Sequence, residues 1–311
     1  MSDRATKAPE PETKGSIRAT NWPYGEPIGA QGETGRLLDK IPRTRVVVLG
    51  DPMFDVYHFG RVDRLSPEAP VPVFVPETRE TRYGGAANVV NQLRALECQV
   101  ATIFPPAKEW TTKHRYMVGR HQMFRVDKDR APSEDSIKNL FKTEAISTAQ
   151  VLVVSDYGKG WCTPHNCLEA IDRARHLNIP VVVDPKGTDW NKYGLATLIC
   201  PNQKEWREAV QRYVPPRAAI LLKQGEKGLR LFTRGHEFGS GTTEDVYPAQ
   251  ARHVYDVTGA GDTVTAVMAA ALGAGGTMQQ GAQLANLAAG WVVGEIGTSV
   301  CHLGKLRELV K

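Results

Sequence analysis

Short apolar segments alternate along the chain with segments of helical periodicity. Amphipathic stretches such as 168–177 and 204–212 lie between the apolar segments and predict helices. Near-continuous apolar strands separated by helices are typical of a mostly parallel sheet covered on both faces, so the pattern predicts an α/β fold. The predicted strands are 46–49, 151–154, 180–183, 198–200 and 220–222.

A different pattern occurs near 57–77 and near 111–127, where apolar and polar residues alternate. Such alternation indicates half-exposed antiparallel strands. In the second segment Gly119 and Arg120 separate two alternating runs and predict a hairpin turn. Together the two segments predict a small β-layer attached to the main sheet, which could either cover a site as a lid or form an oligomer interface.

The first 43 residues are rich in proline and glycine and show neither a helical nor a strand period. We therefore expect residues 1–43 to form a flexible tail, disordered or laid over the body, and residues 44–311 to form one domain. No segment of 18 apolar residues occurs, and the first thirty residues lack the apolar run of a secretory signal. The expected location is cytoplasmic.

Charge and cysteine content exclude several classes of function. The 311 residues have a net charge of +5 with no run of five like charges, which indicates neither a nucleic-acid-binding tail nor a polybasic membrane anchor. The five cysteines lack C-x-x-C spacing, which favours reduced thiols. Cys162, His165 and Cys167 could be metal ligands. However, Thr163-Pro164 is typical of a helix start, and no second ligand pair follows.

The strongest chemical motif is D-V-T-G-A-G-D-T at residues 256–263, which a helical segment follows. Glycines just before a helix let backbone N–H groups converge on an anion, and the helix dipole favours negative charge there. Asp262, at the start of the same helix, could accept a proton from an attacking hydroxyl. The motif predicts phosphoryl transfer, although a bare G-x-G turn serves as often for close backbone packing.

The pattern D-x-T-G-A-G-D resembles the second signature of the ribokinase (PfkB) family of carbohydrate kinases, and Gly84-Gly85-Ala86-Ala87-Asn88 resembles the first. The match is closer still to one branch, the heptose-7-phosphate kinase domains of bifunctional ADP-heptose synthesis enzymes. The resemblance spans residues 45 to about 298 and implies a ribokinase-like three-layer α/β/α fold that uses ATP and Mg²⁺. The branch-specific residues are 49–51, Asp55, 66–73, 155–157, 159–160, 184–189 and 255–264.

The resemblance implies roles for residues around the donor phosphates. Asp262 would be the catalytic base, and Gly259, Ala260 and Gly261 would form the anion hole for the transferring phosphoryl group. Mg²⁺, which prefers to keep its waters, would be held through water by Asn202 and Glu205 of the N-x-x-E motif. The nucleotide would contact Lys186, Asn202, Lys223, Gly225, Glu226, Gly228 and Asn286. A monovalent cation such as K⁺ would bind Asp256, Thr258 and Ser299.

The acceptor side is predicted at the end of the first strand, where an open α/β sheet has its ligand crevice. Asp51 and Asp55 follow that strand, and the resemblance adds Gly84, Gly85 and Asn88 as contacts of the sugar. An acceptor that carries its own phosphate needs basic side chains to meet it. The candidates are Lys113, Arg115, Arg120 and Arg125.

The leading reaction is phosphorylation of D-glycero-D-manno-heptose 7-phosphate by ATP at the anomeric hydroxyl, giving the 1,7-bisphosphate. The alternative enzyme is a kinase for another sugar or sugar phosphate. The alternative of a different class is a catalytically silent relative that binds a nucleotide or a protein partner. The expected assembly is a homodimer through the β-layer, with neither nucleic acid nor membrane as a partner.

The sequence departs from the family in one place. Family members have a further βα unit between the helix of the first signature and the second β-segment. Only ten residues, 101–110, are available there in this chain. Because a parallel crossover needs about a dozen residues or more, we predict that one βα unit is missing.

Overall fold

A computed structural model describes residues 31–138, 144–233, 243–250, 257–295 and 299–311. In chain order the strands are β1 (Arg45–Gly50), β2 (Pro52–Leu65), β3 (Pro72–Gly85), β4 (Gln99–Ile103), β5 (Thr111–Val118), β6 (His121–Lys128), β7 (Val151–Ser155), β8 (Val181–Asp184), β9 (Leu198–Ile199), β10 (Ala219–Lys223), β11 (Leu229–Thr233) and β12 (Thr243–Tyr247). Eight of them form one sheet in the order β12-β11-β10-β9-β8-β7-β1-β4. In this order, neighbouring strands from β10 to β4 are parallel to each other. β11 and β12 extend the sheet beyond β10 as antiparallel strands.

Helices cover both faces of this sheet. They are α1 (Gln31–Lys40), α2 (Ala86–Ala95), α3 (Glu134–Lys138), α4 (Pro164–His176), α5 (Gln203–Val210), α6 (Ala260–Gly273), α7 (Met278–Val292) and α8 (Leu303–Leu309). Successive strand residues point to opposite faces, so Val46 and Val48 pack with α2, α6 and α7, whereas Val47 and Leu49 pack with α4. The result is a three-layer α/β/α arrangement with an apolar core on each side of the sheet.

The β-layer is a separate four-stranded sheet in the order β3-β2-β5-β6. β2 and β3 are antiparallel, β5 and β6 form a hairpin around Gly119, and β2 and β5 are parallel. The layer joins the main sheet without a linker, because only Asp51 separates β1 from β2, and α2 begins at the residue after β3. Its first two strands are longer than the predicted segment 57–77 because both run up to the main sheet.

The apolar pattern was sufficient to locate the core strands. Each of the five predicted strands is present, with ends that differ by at most one residue. Between β4 and β5 the chain contains a single 3₁₀ turn at Ala107–Glu109, so this short connection holds no further strand and no α-helix, as its length predicts. None of the described helices is both long and apolar enough to cross a bilayer.

The structure corrects the predicted tail at residues 31–43. These residues form α1 and a 3₁₀ turn at Ile41–Arg43. Leu37, Leu38 and Ile41 are at most 5% exposed and belong to the core that α2, α6 and α7 share. This stretch therefore folds as part of the domain, because its apolar residues have a buried surface to pack on. Residues 1–30 lie outside the described residues.

Candidate active site

The carboxyl ends of the central strands open onto one large cavity of about 770 Å³. Asp184 at the end of β8 and Lys223 at the end of β10 line it, as do the first turns of α5 and α6 and one face of α7. This is the edge at which open α/β sheets bind their ligands, and the volume is typical of small-molecule sites.

The glycine turn before α6 forms one end of the cavity. Gly259 has a φ of +84°, a left-handed conformation that favours glycine, and it is the cap residue of α6. A side-chain carbon at Gly261 would lie 3.5 Å from the Lys223 amine, so the turn and this cation are neighbours. Ala260, Gly261 and Asp262 line the cavity. The N-terminus of a 14-residue helix and a lysine amine therefore meet where an anionic group could bind.

Asp262 is only 8% exposed and lies in the first turn of α6. The Asn88 side-chain amide donates to its Oδ2 at 2.6 Å, and the Tyr157 hydroxyl donates to its Oδ1. Burial raises the pKa of Asp262, although both hydrogen bonds and the charge of Lys223 oppose the rise. A carboxylate with a raised pKa is a stronger base, which suits it to accept a proton from a hydroxyl.

A buried ion pair lies behind the glycine turn. The Lys223 amine is 2.7 Å from Asp184 Oδ1, and both side chains are close to one-eighth exposed. The Thr265 hydroxyl donates to the other oxygen of Asp184 at 3.2 Å. Burial raises the pKa of Asp184 to about 6 although Lys223 opposes the rise. Burial alone would lower the pKa of Lys223, but the charge and hydrogen bond of Asp184, with Cys200 and Glu205, together raise it, so the lysine stays cationic.

The residues predicted to bind a nucleotide share this cavity. Asn286 projects from α7 beside Ala289 and Gly290, whose small size leaves room for a flat ring. Its amide donates to the Pro248 carbonyl at 2.7 Å and so ties α7 to the segment after β12. The cavity is lined by all seven predicted residues: Lys186, Asn202, Lys223, Gly225, Glu226, Gly228 and Asn286.

The N-x-x-E motif forms a capping box at the start of α5. Asn202 Oδ1 accepts from the backbone N–H groups of Lys204 and Glu205, and Glu205 Oε2 accepts from the Asn202 N–H at 3.0 Å. Glu205 Oε1 lies 3.2 Å from the half-exposed Lys186 amine. Since the cap occupies one oxygen of each side chain, the arrangement fits Mg²⁺ held through its waters better than direct coordination.

Several residues predicted to bind the acceptor lie where the β-layer meets the main sheet. Asp55 on β2 pairs with Arg115 on β5 at 2.5 Å, and both side chains are less than a fifth exposed. A side-chain carbon at Gly84 would lie 2.3 Å from Asp55 Oδ2, so a larger residue here would displace the Asp55 carboxylate. Lys113 is the register partner of Asp55, and burial lowers the pKa of its amine.

Other predicted acceptor residues are placed differently. Asp51 is 1% exposed, and its carboxylate accepts from the backbone N–H groups of Tyr157, Lys159 and Trp161, so both of its oxygens hold the loop after β7. Gly85 precedes α2 beside Asp51, and Asn88 binds Asp262.

The four basic candidates do not form one group. Arg120 lies in the exposed turn between β5 and β6, seven residues beyond Lys113 and therefore roughly 20 Å away along the strand. Arg125 lies across from Arg115 on β6 and pairs with Asp127 at 2.8 Å. Lys113 and Arg115 thus lie beside Asp55, and Arg125 lies next to them, where its charge contributes to the lowered pKa of Lys113.

The predicted monovalent-cation site is only partly described. Asp256 lies outside the described residues. Thr258 precedes Gly259, and the Ser299 carbonyl accepts from the Gln92 amide at 2.9 Å. The K⁺ site stays a prediction.

Sequence reasoning missed Tyr157 and Asp184 as site residues, although both lie in segments that carry the family resemblance. It also left open a metal site near Cys162. Cys162 lies with Asp51 and Asp156 in a buried cluster. Every carboxylate oxygen in the cluster already accepts hydrogen bonds, from loop N–H groups, a lysine and a tyrosine. Thr163 caps α4, as predicted, by accepting from the Asn166 N–H.

Residues 126–304, more than half of the chain, match the pfkB family carbohydrate kinases. The chain belongs to this family. The carbohydrate kinase is 37% identical over 325 residues to the bifunctional protein HldE of Acidiphilium cryptum, covering 91% of the chain and 67% of that protein. It is 40% identical over 304 residues to the bifunctional protein HldE of Caulobacter vibrioides, covering 84% of the chain and 62% of that protein. The chain thus spans about two thirds of the length of these relatives.

Solved structures confirm the predicted ribokinase-like fold of this carbohydrate kinase. Phosphofructokinase-2 from Escherichia coli, in complex with potassium, superposes with a TM-score of 0.65 at 17% identity over 86% of the chain and 98% of its own. Arabidopsis thaliana ribokinase, complexed with ribose and ATP, superposes with a TM-score of 0.62 at 16% identity, over 86% of the chain and 99% of its own. Membership of the family makes the protein a phosphotransferase that acts on a sugar hydroxyl.

Proposed function

We propose that this chain is a cytoplasmic, ATP-using and Mg²⁺-dependent kinase that phosphorylates D-glycero-D-manno-heptose 7-phosphate at its anomeric hydroxyl. One observation carries the kinase assignment: a single cavity is lined both by Asp262 with the start of α6 and by all seven residues predicted to contact a nucleotide. A base, an anion site and a nucleotide pocket that share one cavity are what phosphoryl transfer needs.

The residues would divide the reaction between them. Asp262 takes the proton of the acceptor hydroxyl, and its raised pKa improves it as a base. The N–H groups at the start of α6, with the Lys223 amine beside Gly261, stabilise charge on the transferring phosphoryl group. Mg²⁺, held through water by Asn202 and Glu205, would screen the phosphate charges of ATP. A K⁺ ion near Thr258 and Ser299 belongs to the proposal on family resemblance alone.

The heptose 7-phosphate assignment rests on the branch-specific residues and on Lys113. The Lys113 side chain is half-buried next to Asp55, and burial lowers the pKa of its amine. Arg115, by contrast, pairs with Asp55 and stacks over the Tyr57 ring at 5.3 Å. A phosphate on the far end of the sugar would give Lys113 an anionic partner, which favours a phosphorylated acceptor over a free sugar.

The test is ADP release with heptose 7-phosphate, free heptose, ribose, fructose and fructose 6-phosphate. We expect the highest kcat/KM with heptose 7-phosphate. Lys113→Met should lower that value by about tenfold or more through KM and leave free heptose unaffected, since a charge-assisted hydrogen bond contributes roughly 1.5–3 kcal/mol. Lys40→Met, at an exposed lysine away from the β-layer, is the matched control.

The possible results separate the three candidate functions. A clear preference for ribose, fructose or fructose 6-phosphate contradicts the heptose assignment and leaves a kinase for another sugar. No ADP release with any sugar contradicts the kinase and favours the catalytically silent relative. The retained Asp262 in its cavity supports the active enzyme.

We further propose a homodimer through the outer face of the β-layer. Aromatic rings follow one another across this face: His58 stacks on Tyr116 at 4.6 Å, and Tyr116 stacks on Phe124 at 4.3 Å. Phe124 is 46% exposed and Val126 is 41% exposed, which is typical of a surface that a partner covers. Light scattering should give twice the chain mass, and Phe124→Glu should give the monomer. Tyr213→Glu, at an exposed ring elsewhere, is the control.

A further inference from the structure

The loop that follows β7 is fixed by a carboxylate at the end of β1. Asp51 accepts three hydrogen bonds from this loop, from the N–H groups of Tyr157 at 2.9 Å, Lys159 at 3.2 Å and Trp161 at 2.9 Å. Asp51 is 1% exposed. Three donors from one short loop leave that loop little freedom, so the position of the Tyr157 backbone is set by Asp51.

Asp156, the first residue of the loop, is fixed as well. Its Oδ2 accepts from the Lys192 amine at 2.5 Å and from the Tyr193 hydroxyl at 2.6 Å, while its Oδ1 accepts from the Gly158 N–H at 2.7 Å. The loop is therefore attached on both sides of Tyr157, to β1 by Asp51 and to the segment after β8 by Lys192 and Tyr193.

The Tyr157 side chain extends from this fixed loop to the base. Its hydroxyl donates to Asp262 Oδ1, and the Asn88 amide donates to Oδ2 at 2.6 Å. Each oxygen of Asp262 thus has one donor, and the donors come from two different elements. A carboxylate on the first turn of a helix can otherwise rotate about two side-chain bonds. Two opposed donors hold it in one orientation.

Tyr157 also lines the cavity, so its role is not confined to filling the core. Burial raises the pKa of its hydroxyl well above the ordinary value, and the charge of Asp262 adds to the rise. The hydroxyl therefore keeps its proton and acts as a hydrogen-bond donor throughout the working pH range.

We propose that Tyr157 is a positioning residue for Asp262: its hydroxyl holds the base in one orientation toward the cavity, and Asp51 holds Tyr157 by its backbone. The proposal rests on the proposed function, in which Asp262 takes the proton of the sugar hydroxyl. Asp262 keeps lone pairs for that proton, because each carboxylate oxygen can accept a second hydrogen bond.

The proposal predicts a pH effect of known sign. A donor to the ionised carboxylate favours the charged form, so its loss raises the pKa of Asp262. The charged and titratable groups that face Asp262 are Lys223 from β10, Asp55 from β2 and Asp184 from β8, while α2 contributes the uncharged Asn88. A change at Tyr157 leaves all of them in place. The acidic limb of the kcat profile should therefore move to higher pH.

The first experiment compares Tyr157→Phe with Tyr247→Phe. Both changes remove one tyrosine hydroxyl that donates a hydrogen bond, but Tyr247 donates to the Gln279 carbonyl and lies outside the loop after β7. For Tyr157→Phe we expect the acidic limb to rise by about one pH unit, so that kcat falls by up to about tenfold on that limb and recovers toward higher pH. For Tyr247→Phe we expect the limb to stay in place. Melting temperatures of both variants report any general loss of structure.

A second variant tests the opposite direction. Replacing Tyr157 by 3-fluorotyrosine keeps the ring and its hydroxyl but makes the hydroxyl a stronger donor, so the limb should move to lower pH. An unmoved limb in both variants, or a fall in kcat that is uniform at all pH values, overturns the positioning role.

A titration of the Asp262 carboxyl carbon by NMR measures the same effect without turnover. It should give a higher pKa in Tyr157→Phe than in the unchanged chain, and equal values overturn the proposal. If the unchanged chain releases no ADP with any sugar, the proposed function fails, and this titration still tests whether Tyr157 holds Asp262.

Discussion

Removal of the Lys223 amine should change the stability of the protein in a way that depends strongly on pH. Lys223→Met leaves Asp184 buried with the Thr265 hydroxyl but without a cation. An unpaired buried carboxylate has two options: it stays charged, at a cost of about 3–5 kcal/mol, or it takes up a proton. Whichever option costs less in free energy determines the result.

The proton is the less costly option near neutral pH. With Lys223 present, burial already raises the pKa of Asp184 from 3.8 to about 6. At pH 7 the protonated form therefore lies about 1.4 kcal/mol above the ion pair, and at pH 8 about 2.7 kcal/mol above it. These values are upper limits on the electrostatic part of the stability that the variant loses at each pH. Below pH 6 the carboxyl is mostly protonated in both proteins, so this part of the loss disappears.

The sign follows from proton binding. A carboxyl whose pKa is raised in the folded state contributes stability that is lost as the pH rises through that pKa. In the unchanged protein this loss is complete near pH 6. In the variant the pKa of Asp184 is higher still, so the protein continues to lose stability as the pH rises above 6. The difference in the free energy of unfolding should thus grow by about 1.4 kcal/mol for each pH unit above 6. The variant also lacks the cost of burying the lysine. This changes its free energy of unfolding by an amount that does not vary with pH in this range.

Chemical denaturation of both proteins between pH 5 and pH 8 measures this difference. Lys227→Met is the matched control, because Lys227 lies in the loop that follows β10 and is exposed. The control should show a small difference at every pH. If the difference for Lys223→Met is the same at pH 5.5 and pH 8, then Asp184 does not titrate as its burial demands, and the reasoning is refuted.

Four further outcomes follow from the site and the fold. Asp262→Asn should lower turnover by about a hundredfold or more while calorimetry still detects ATP binding, and near-normal turnover would remove Asp262 from the mechanism. Activity should vanish with a chelator, return with Mg²⁺ and fall strongly in Glu205→Gln; an enzyme indifferent to both treatments contradicts the role given to N-x-x-E. Ile41→Ala should lower the free energy of unfolding by about 2–5 kcal/mol, because Ile41 is fully buried. Deletion of 1–43 should lower the melting temperature further, and a deleted chain as stable as the full one would contradict the packing of α1.

The parts of the fold that the sequence pattern predicted are those that depend on local periodicity. Strands such as β1 and β7 are solid apolar runs, and only burial on both faces explains such runs. Residues 31–43 differ because they contain few apolar side chains, Leu37, Leu38 and Ile41, whose burial depends on a surface formed by distant helices. Periodicity within such a short segment carries no information on that surface.

The candidate site was likewise predicted only in part. Most of the phosphoryl and nucleotide residues follow strand ends or begin helices, so their motifs indicate one edge of the sheet, whereas Asn286 lies in the middle of α7. The roles of Asp51 and Arg120 in acceptor binding stay predictions, and the structure gives both a placement that the motifs did not indicate. Asp51 turns inward because three loop N–H groups require an acceptor, and Arg120 lies at the far end of a hairpin. The sequence did not identify Tyr157, because a tyrosine contributes to a site only through the hydrogen-bond partner of its hydroxyl.

The short connection after β4 has a consequence for the behaviour of the protein at high concentration. β4 is the last strand of the main sheet, and within the described ranges its outer edge has no strand beside it. The five residues Gln99–Ile103 include no charged side chain and no proline, the usual protections of such an edge. Another chain could add a strand there through backbone hydrogen bonds alone. Colloidal stability during expression and storage should therefore depend on this edge, and a lysine introduced at the exposed Ala101 is the direct means of protecting it.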